Sequence, residues 1–384
     1  MFSNKELKFF MQCPTPFFYY DIERFRQTLN LIKTETVKYG YIVHYAIKAN
    51  ANDKLLQIIK EHGFGADCVS GNEVKKAIEI GFNSDSVVFA GVGKSDNEIN
   101  YGLEHNIFSF NCESLQEIEV IDELAQKKGV IAKIALRINP NVKANTHHYI
   151  TTGIDENKFG INRWEFEKLL ELLKRKQHVK LIGLHFHIGS QITDFDVFKS
   201  LCIRVNEIQQ YFIENQILVE HINVGGGLGV DYEHPENKNF PDFEVFFKLF
   251  NRFLDLKPGQ KLHFELGRTM VAQSGTLISK VLFVKNGINT NFAIIDAGMT
   301  ELIRPALYQA YHKIENISSK DGLEFYDVVG PICESSDTFG KTVQMSSTRR
   351  GDLIAIRTVG AYGQVMSSQY NLRDLAKAYY SDEI

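Results

Sequence analysis

Through the first two-thirds of the chain, short apolar runs alternate with longer stretches whose apolar positions recur at helical spacing. The short runs, rich in Val, Ile, Phe and Tyr, read as strands. They fall at residues 41–45, 65–69, 87–90, 107–110, 132–138, 181–187, 221–224 and 261–265. Helical stretches separate them at 52–62, 73–80, 113–128, 164–176, 195–216 and 243–254. Ser70 and Asp194 stand where helix N-caps belong. Eight strands interleaved with helices is the count of a (β/α)8 TIM-type barrel, which takes about 250 residues. A doubly wound open sheet would use the same alternation, and the count favours the barrel.

Beyond Gly267 the pattern changes. Short β-type runs at 276–284, 291–296, 326–329 and 352–358 are separated by turn residues, with few helical windows between them. That is the pattern of an all-β module appended to an α/β barrel. Residues 16–20, PFFYY, precede the first barrel helix and read as an extra strand of that module. The expected division is a barrel over 22–266 and a β-barrel or sandwich domain built from 1–21 and 267–384.

Composition narrows the class. The 384 residues are 44% hydrophobic and 23% charged, with formal net charge −4, so a nucleic-acid binder or an anionic-membrane binder is disfavoured. No apolar run approaches the ~20 residues of a membrane helix, and residues 1–11 lack a signal-peptide pattern. The five cysteines, Cys13, Cys68, Cys112, Cys202 and Cys333, are scattered and odd in number. They fit neither a disulfide framework nor a zinc ribbon, and they suit a reducing cytoplasm.

A barrel carries its active site at the C-terminal ends of its strands, and that rule gathers distant residues. The first strand ends in Tyr45-Ala46-Ile47-Lys48-Ala49-Asn50. A lysine there, among apolar neighbours, loses solvation and becomes a Schiff-base nucleophile; alone, a solvated loop lysine is the commoner case. Asp67 and Ser70 end the second strand, and Arg137 lies in the fifth. The sixth ends in His185-Phe186-His187-Ile188-Gly189-Ser190-Gln191. Two histidines two apart share a strand face, either as a metal pair or as a ring lying on a planar cofactor. The cofactor contact ranks first, a core histidine second and a metal third; His147 and His148 make a poor pair because adjacent side chains point to opposite faces of a strand.

The seventh strand runs into Gly225-Gly226-Gly227, whose bare backbone would let N–H groups wrap an anion. The eighth ends in Glu265-Leu266-Gly267-Arg268, an acid for a protonated ring nitrogen and a cation for an anionic group. Each signal has an ordinary structural explanation. Together, a nucleophilic lysine, phosphate-binding glycines, a stacking ring and a buried acid specify pyridoxal 5′-phosphate.

The motifs YAIKAN (45–50), HIGSQ (187–191), GGGLG (225–229), ELGR (265–268), DAGMTELIRPALY (296–308), GPICESSD (330–337) and GAY (360–362) resemble those of the fold-type III pyridoxal-phosphate decarboxylases. HIGSQ and CESSD resemble the branch acting on diaminopimelate more than the ornithine and arginine branches. The resemblance implies decarboxylation of meso-2,6-diaminopimelate to L-lysine and CO2, the last step of lysine biosynthesis. It also implies a cytoplasmic homodimer with shared active sites and no metal.

Carried over, Lys48 would bind the cofactor covalently and His187 would stack on its ring. Gly225, Gly226 and Gly227 would hold the phosphate, and Glu265 the ring nitrogen. Asp67, Arg137, Ser190, Gly267, Arg268 and Tyr362 would complete the cofactor shell. Arg268, Arg304, Tyr308 and Tyr362 would bind the amino-acid substrate, the arginines at its distal carboxylate. Cys333, near the proton-transfer position, and Glu334, at the distal ammonium, would come from the partner subunit. One departure stands out: Leu266 occupies a position where the family usually has proline. The alternatives are a related decarboxylase of another diamino or basic amino acid, a non-enzymatic pyridoxal-phosphate carrier, and a metal-dependent hydrolase using His185 and His187.

Overall fold

A computed structural model describes residues 2–142, 158–237 and 240–384. By contact the chain divides into two units, one of Leu29–Gly229 with Asp242–Gly267 and one of Met1–Thr28, Val230–Pro241 and Arg268–Ile384. The first strand, β1 (Phe17–Tyr20), belongs to the second unit. The next eight close a parallel barrel: β2 (Ile42–Ala46), β3 (Gly65–Cys68), β4 (Val87–Phe89), β5 (Ser109–Cys112), β6 (Ala132–Arg137), β7 (Val179–His185), β8 (His221–Asn223) and β9 (Lys261–Leu266). Each pairs with the next, and β9 returns to β2, with His44 opposite Glu265.

All eight expected strands are present, two of them displaced. The run at 107–110 begins two residues early, and that at 181–187 ends two residues late, because Phe186 and His187 lie past the end of β7. His187 therefore sits in a strand-end loop rather than on the strand face beside His185. The pair His147-His148 lies outside the described residues.

The outer helices follow from their apolar stripes. In the helix Phe243–Phe253 the buried positions are Phe243, Phe246, Phe247 and Phe250, spaced to form one face. Three of these rings pack on Phe264 of β9 at centroid distances of 5.0–5.7 Å. Burying each ring contributes about 2 kcal/mol. Phe264 thus faces the helix, and the alternation of a strand turns its neighbours His263 and Glu265 to the barrel interior. Leu266, the departure from the family's proline, is buried and continues the ladder opposite Tyr45.

The second unit is built around one eight-stranded sheet. The long strand β10 (Gly275–Asn286) pairs with β1, with β11 (Asn291–Ile295) and with β15 (Leu353–Arg357), in each case antiparallel. The sheet runs β12 (Ile314–Asn316), β15, β10, β11, β13 (Leu323–Val329), β14 (Thr338–Ser346), and β16 (Lys377–Tyr380) lies parallel to β1. A capped helix, Asn4–Gln12, drives Phe10 against Phe17 and Tyr19, at 5.6 and 4.9 Å between centroids. The segment Val230–Pro241, inside the range expected for the barrel, groups with this sheet unit.

Candidate active site

Glu265 organises the strand ends of the barrel. One carboxylate oxygen accepts from His185 Nε2 at 2.9 Å. The other accepts from Asn223 Nδ2 at 2.8 Å and Asn111 Nδ2 at 3.1 Å. Burial alone would raise this carboxyl, but His185, His187 and Lys48 hold it below the ordinary carboxylate range, so it is ionised. His185 donates through Nε2, and its Nδ1 is a buried atom without a partner.

Lys48 lies in the 3-10 turn Ile47–Ala49 that follows β2. Its charge acts on Asp67, Glu73, His187 and Glu265, which places all four around it. Asp67 is buried with Oδ1 unpartnered, and burial together with the Glu265 charge keeps its carboxyl well above the ordinary range. Burial, with Lys48 and Arg137 nearby, depresses His187 well below the usual imidazole range and leaves a neutral ring.

The glycine loop makes its closest approaches to backbone. Gly225, at φ +68°, would set a β-carbon 2.5 Å from Phe186 O and 2.7 Å from His187 Nδ1. A β-carbon on Gly226 would collide with the Glu265 carbonyl, and its N–H points to His187 Nδ1 at 3.4 Å. The loop can thus lie against the Glu265 and His187 segments only as bare backbone. Gly267 packs its bare face on Ala46 and Ala49, and Ser190 is half-buried in the turn after β7. Arg137 is clamped by Glu113 at 2.6 Å, which also accepts from Gly160 N and Gly91 N.

Arg268 and Arg304 meet in the sheet unit around Tyr232. Arg268 Nη1 donates to Tyr232 Oη at 2.6 Å, and the guanidinium carbon lies 4.9 Å from the centroid of the Tyr362 ring. Arg304 stands over the Tyr232 ring at 5.0 Å, and its Nη1 donates to His312 Nε2 at 2.8 Å. Tyr362 holds a left-handed backbone, φ +57°, a costly conformation for an aromatic residue. Tyr308 is half-buried at the end of the short helix Arg304–Tyr308. Cys333 and Glu334 are exposed, the latter accepting from Tyr370 Oη at 2.8 Å.

Lys48, Asp67, His187 and Glu265, with the glycine loop, therefore form one cluster in the barrel, and Arg268, Arg304, Tyr308 and Tyr362 a second in the sheet unit. His185 and His187 separate, one onto Glu265 and the other against Gly226. Sequence reasoning missed Asn111, Asn223, Glu113, Tyr232 and His312. Asn223 had a signal, a polar residue inside an apolar strand run, and Asn111 stands one residue past another such run; Tyr232 and His312 had none short of the contact itself.

The donor set fits pyridoxal phosphate: a half-buried lysine, a buried ionised carboxylate, a neutral ring and backbone into which no side chain fits. A family model for the pyridoxal-binding domain of pyridoxal-dependent decarboxylases matches residues 22–272. The chain is 58% identical over 376 residues to diaminopimelate decarboxylase of Bacteroides thetaiotaomicron, covering 98% of this chain and 97% of that one. It is 41% identical to that of Helicobacter pylori strain J99, over 97% and 91% of the two chains. The crystal structure of a Helicobacter pylori diaminopimelate decarboxylase mutant complexed with L-lysine superposes with TM-score 0.93 at 37% identity, covering 99% and 94%. That from M. jannaschii, also complexed with L-lysine, gives 0.90 at 34%, covering 98% and 90%. With its barrel, its strand-end lysine and buried carboxylate and these full-length likenesses, the chain belongs to the diaminopimelate decarboxylase family of pyridoxal-phosphate-dependent enzymes.

Proposed function

We propose that this enzyme decarboxylates meso-2,6-diaminopimelate to L-lysine and CO2. The observation that carries the reading is Glu265, ionised within a buried net of His185, Asn111 and Asn223 and close to Lys48. Pyridoxal phosphate supplies a protonated conjugated ring that absorbs the electron pair left when CO2 departs. Glu265 keeps the ring-nitrogen proton in place, and its three donors fix the carboxylate against rotation. Lys48 would hold the cofactor. The glycine backbone at 225–227 binds the phosphate, and neutral His187 covers the ring face without adding charge. Asp67, Arg137, Ser190 and Gly267 shape the same pocket. Arg268, Arg304, Tyr308 and Tyr362 bind the substrate end that does not react. Both arginines are buried, so a ligand lacking a second carboxylate leaves their charge uncompensated and is disfavoured.

Cys333 and Glu334 are exposed on the single chain, which suits delivery to the site of a second copy in a homodimer. There Cys333 protonates the reacting carbon and Glu334 meets the distal ammonium. Among the described residues no helix is long and apolar enough to cross a membrane, and all five cysteines are unpaired, which supports a reducing cytoplasm.

Purified protein with added cofactor is assayed for CO2 release from meso-diaminopimelate, lysine, ornithine and arginine. Release from meso-diaminopimelate far above the rest is expected. Faster release from ornithine or arginine assigns the enzyme to a related decarboxylase, and no release from any of them leaves a cofactor carrier. Shared sites are tested by mixing inactive Lys48→Ala and Glu334→Ala proteins under subunit exchange. Random pairing makes half the dimers mixed with one intact site each, so activity returns to about one quarter of wild type. Confirmed exchange without recovery removes the partner role of Glu334.

A further inference from the structure

We infer that His312 is a positioning residue for substrate choice: a tautomer-locked neutral acceptor that orients the Arg304 guanidinium while leaving its full positive charge for an anionic ligand group. The inference deepens the proposed reading of Arg304 as a carboxylate binder and rests on it. His312 Nδ1 lies 2.9 Å from the Arg357 carbonyl oxygen, which can only accept, so Nδ1 carries the proton. Nε2 is then a lone pair, and it receives Arg304 Nη1 at 2.8 Å. The ring cannot turn over without placing a bare nitrogen against a carbonyl. An edge-on contact with Tyr232, 5.1 Å between centroids, packs its side.

The charge state agrees with this geometry. His312 is buried, and burial with the adjacent Arg304 pushes its pKa down to about 3, so it is neutral throughout the working range. The other groups that act on Arg304 are Tyr232, Arg268 and Tyr362, none of them a carboxylate. Arg304 is therefore held by hydrogen bonds that do not cancel it. A carboxylate in place of His312 would orient the guanidinium as well and would neutralise it, removing the attraction a substrate dianion needs. Histidine supplies direction without charge, and neither tyrosine nor serine reaches so far with so fixed an acceptor.

The test compares two nearly isosteric variants that differ by one charge, His312→Gln and His312→Glu, as holoenzymes. Ligands with and without a distal carboxylate are meso-diaminopimelate, read as KM, and 1,5-diaminopentane, which carries both amines and no carboxylate, read as an inhibition constant. His312→Gln is expected to keep KM for meso-diaminopimelate within about 10-fold of wild type, because an amide oxygen still accepts. His312→Glu is expected to raise it by about 100-fold or more while leaving inhibition by 1,5-diaminopentane within about 3-fold. Equal KM values in the two variants overturn the inference, because the partner's charge then does not matter. Equal loss for meso-diaminopimelate and 1,5-diaminopentane in His312→Glu also overturns it, since that is general damage.

Arg304→Met is the control on the underlying reading. If it weakens meso-diaminopimelate no more than 1,5-diaminopentane, the assignment of Arg304 itself falls, whatever the His312 variants do. Should His312→Glu not fold, nitrogen-15 spectra of histidine-labelled wild-type holoenzyme, with the signal assigned by its absence in His312→Gln, supply the second measurement. A neutral ring protonated at Nδ1 from pH 6 to 8 supports the inference, and an imidazolium or the other tautomer overturns it.

Discussion

Two polar layers lie inside the barrel, two residues apart along β8 and β9, and they are built on opposite rules. The upper layer joins Glu265 to Asn223, Asn111 and His185 near the strand C-termini. The lower joins His263 to His44 and His221, at 2.9 Å in both bonds. In the lower layer His44 Nδ1 donates to the Ser86 carbonyl at 3.0 Å, which fixes its proton and, link by link, the protons of His263 and His221. All three rings are Nδ1–H tautomers, and the chain closes on protein groups. The upper layer does not close. Asp67 Oδ1 and His185 Nδ1 are buried there without a partner, and an unmade buried hydrogen bond costs about 1–3 kcal/mol. Polarity inside a barrel is thus no mark of function by itself. Incomplete polarity is, because the missing partner is what a ligand supplies.

The largest effect that sharpens this contrast belongs to Lys48. Lys48→Ala should lower decarboxylation by roughly three orders of magnitude or more, since the covalent link has no substitute. Borohydride reduction of the wild-type holoenzyme, followed by peptide mapping, should put the label on Lys48. Label on another lysine would remove it from the upper layer's chemistry.

Glu265→Gln comes next. It keeps the shape of the net and deletes the charge that holds the ring-nitrogen proton. The expected loss in kcat is about 10²–10³-fold, with cofactor absorbance retained at saturating pyridoxal phosphate. Turnover near wild type would mean that the upper layer, like the lower one, is only structural.

The contrast also explains what could be read from sequence. Barrel strands buried on both faces appear as apolar runs, so all eight were visible, and charged residues at their ends stood out as Lys48 and Glu265. Asn223 sits inside one of those runs and Asn111 one residue past another, yet an amide carries no chemistry until its partner is known. Strands β12, β14 and β16 escaped notice because they are short or half-exposed and mix polar with apolar positions. The helix Asn4–Gln12 escaped too, since its single fully buried residue, Phe10, makes no stripe. Tyr232 and His312 acquire their roles only through Arg268 and Arg304, many residues away, and spacing holds no trace of that. The motif resemblance reached the charged residues and stopped short of the neutral ones that hold them.

The smallest expected effect on activity, and a direct test of the lower layer, is His263→Leu. It removes the middle ring and strands His44 Nε2 and His221 Nδ1, at about 1–3 kcal/mol for each group left unpaired. Catalysis should stay within about 3-fold, because Glu265 keeps its own three donors. The pH dependence of stability separates this from a generic cavity. Burial depresses His44 and His263 in the fold, the latter further lowered by its two ring neighbours. An unfolded histidine titrates near 6.5, so the unfolded chain binds more protons as the pH falls. Stability from neutral burial is therefore complete above about 6.5 and is lost below it, by up to about 1.4 kcal/mol per pH unit for each histidine. Thermal unfolding of wild type should weaken from pH 6.5 to 5, and His263→Leu should show a shallower decline over that range. A variant as acid-sensitive as wild type would show that the lower layer does not set the slope. One that loses turnover while keeping its thermal midpoint would show that the two layers act as one.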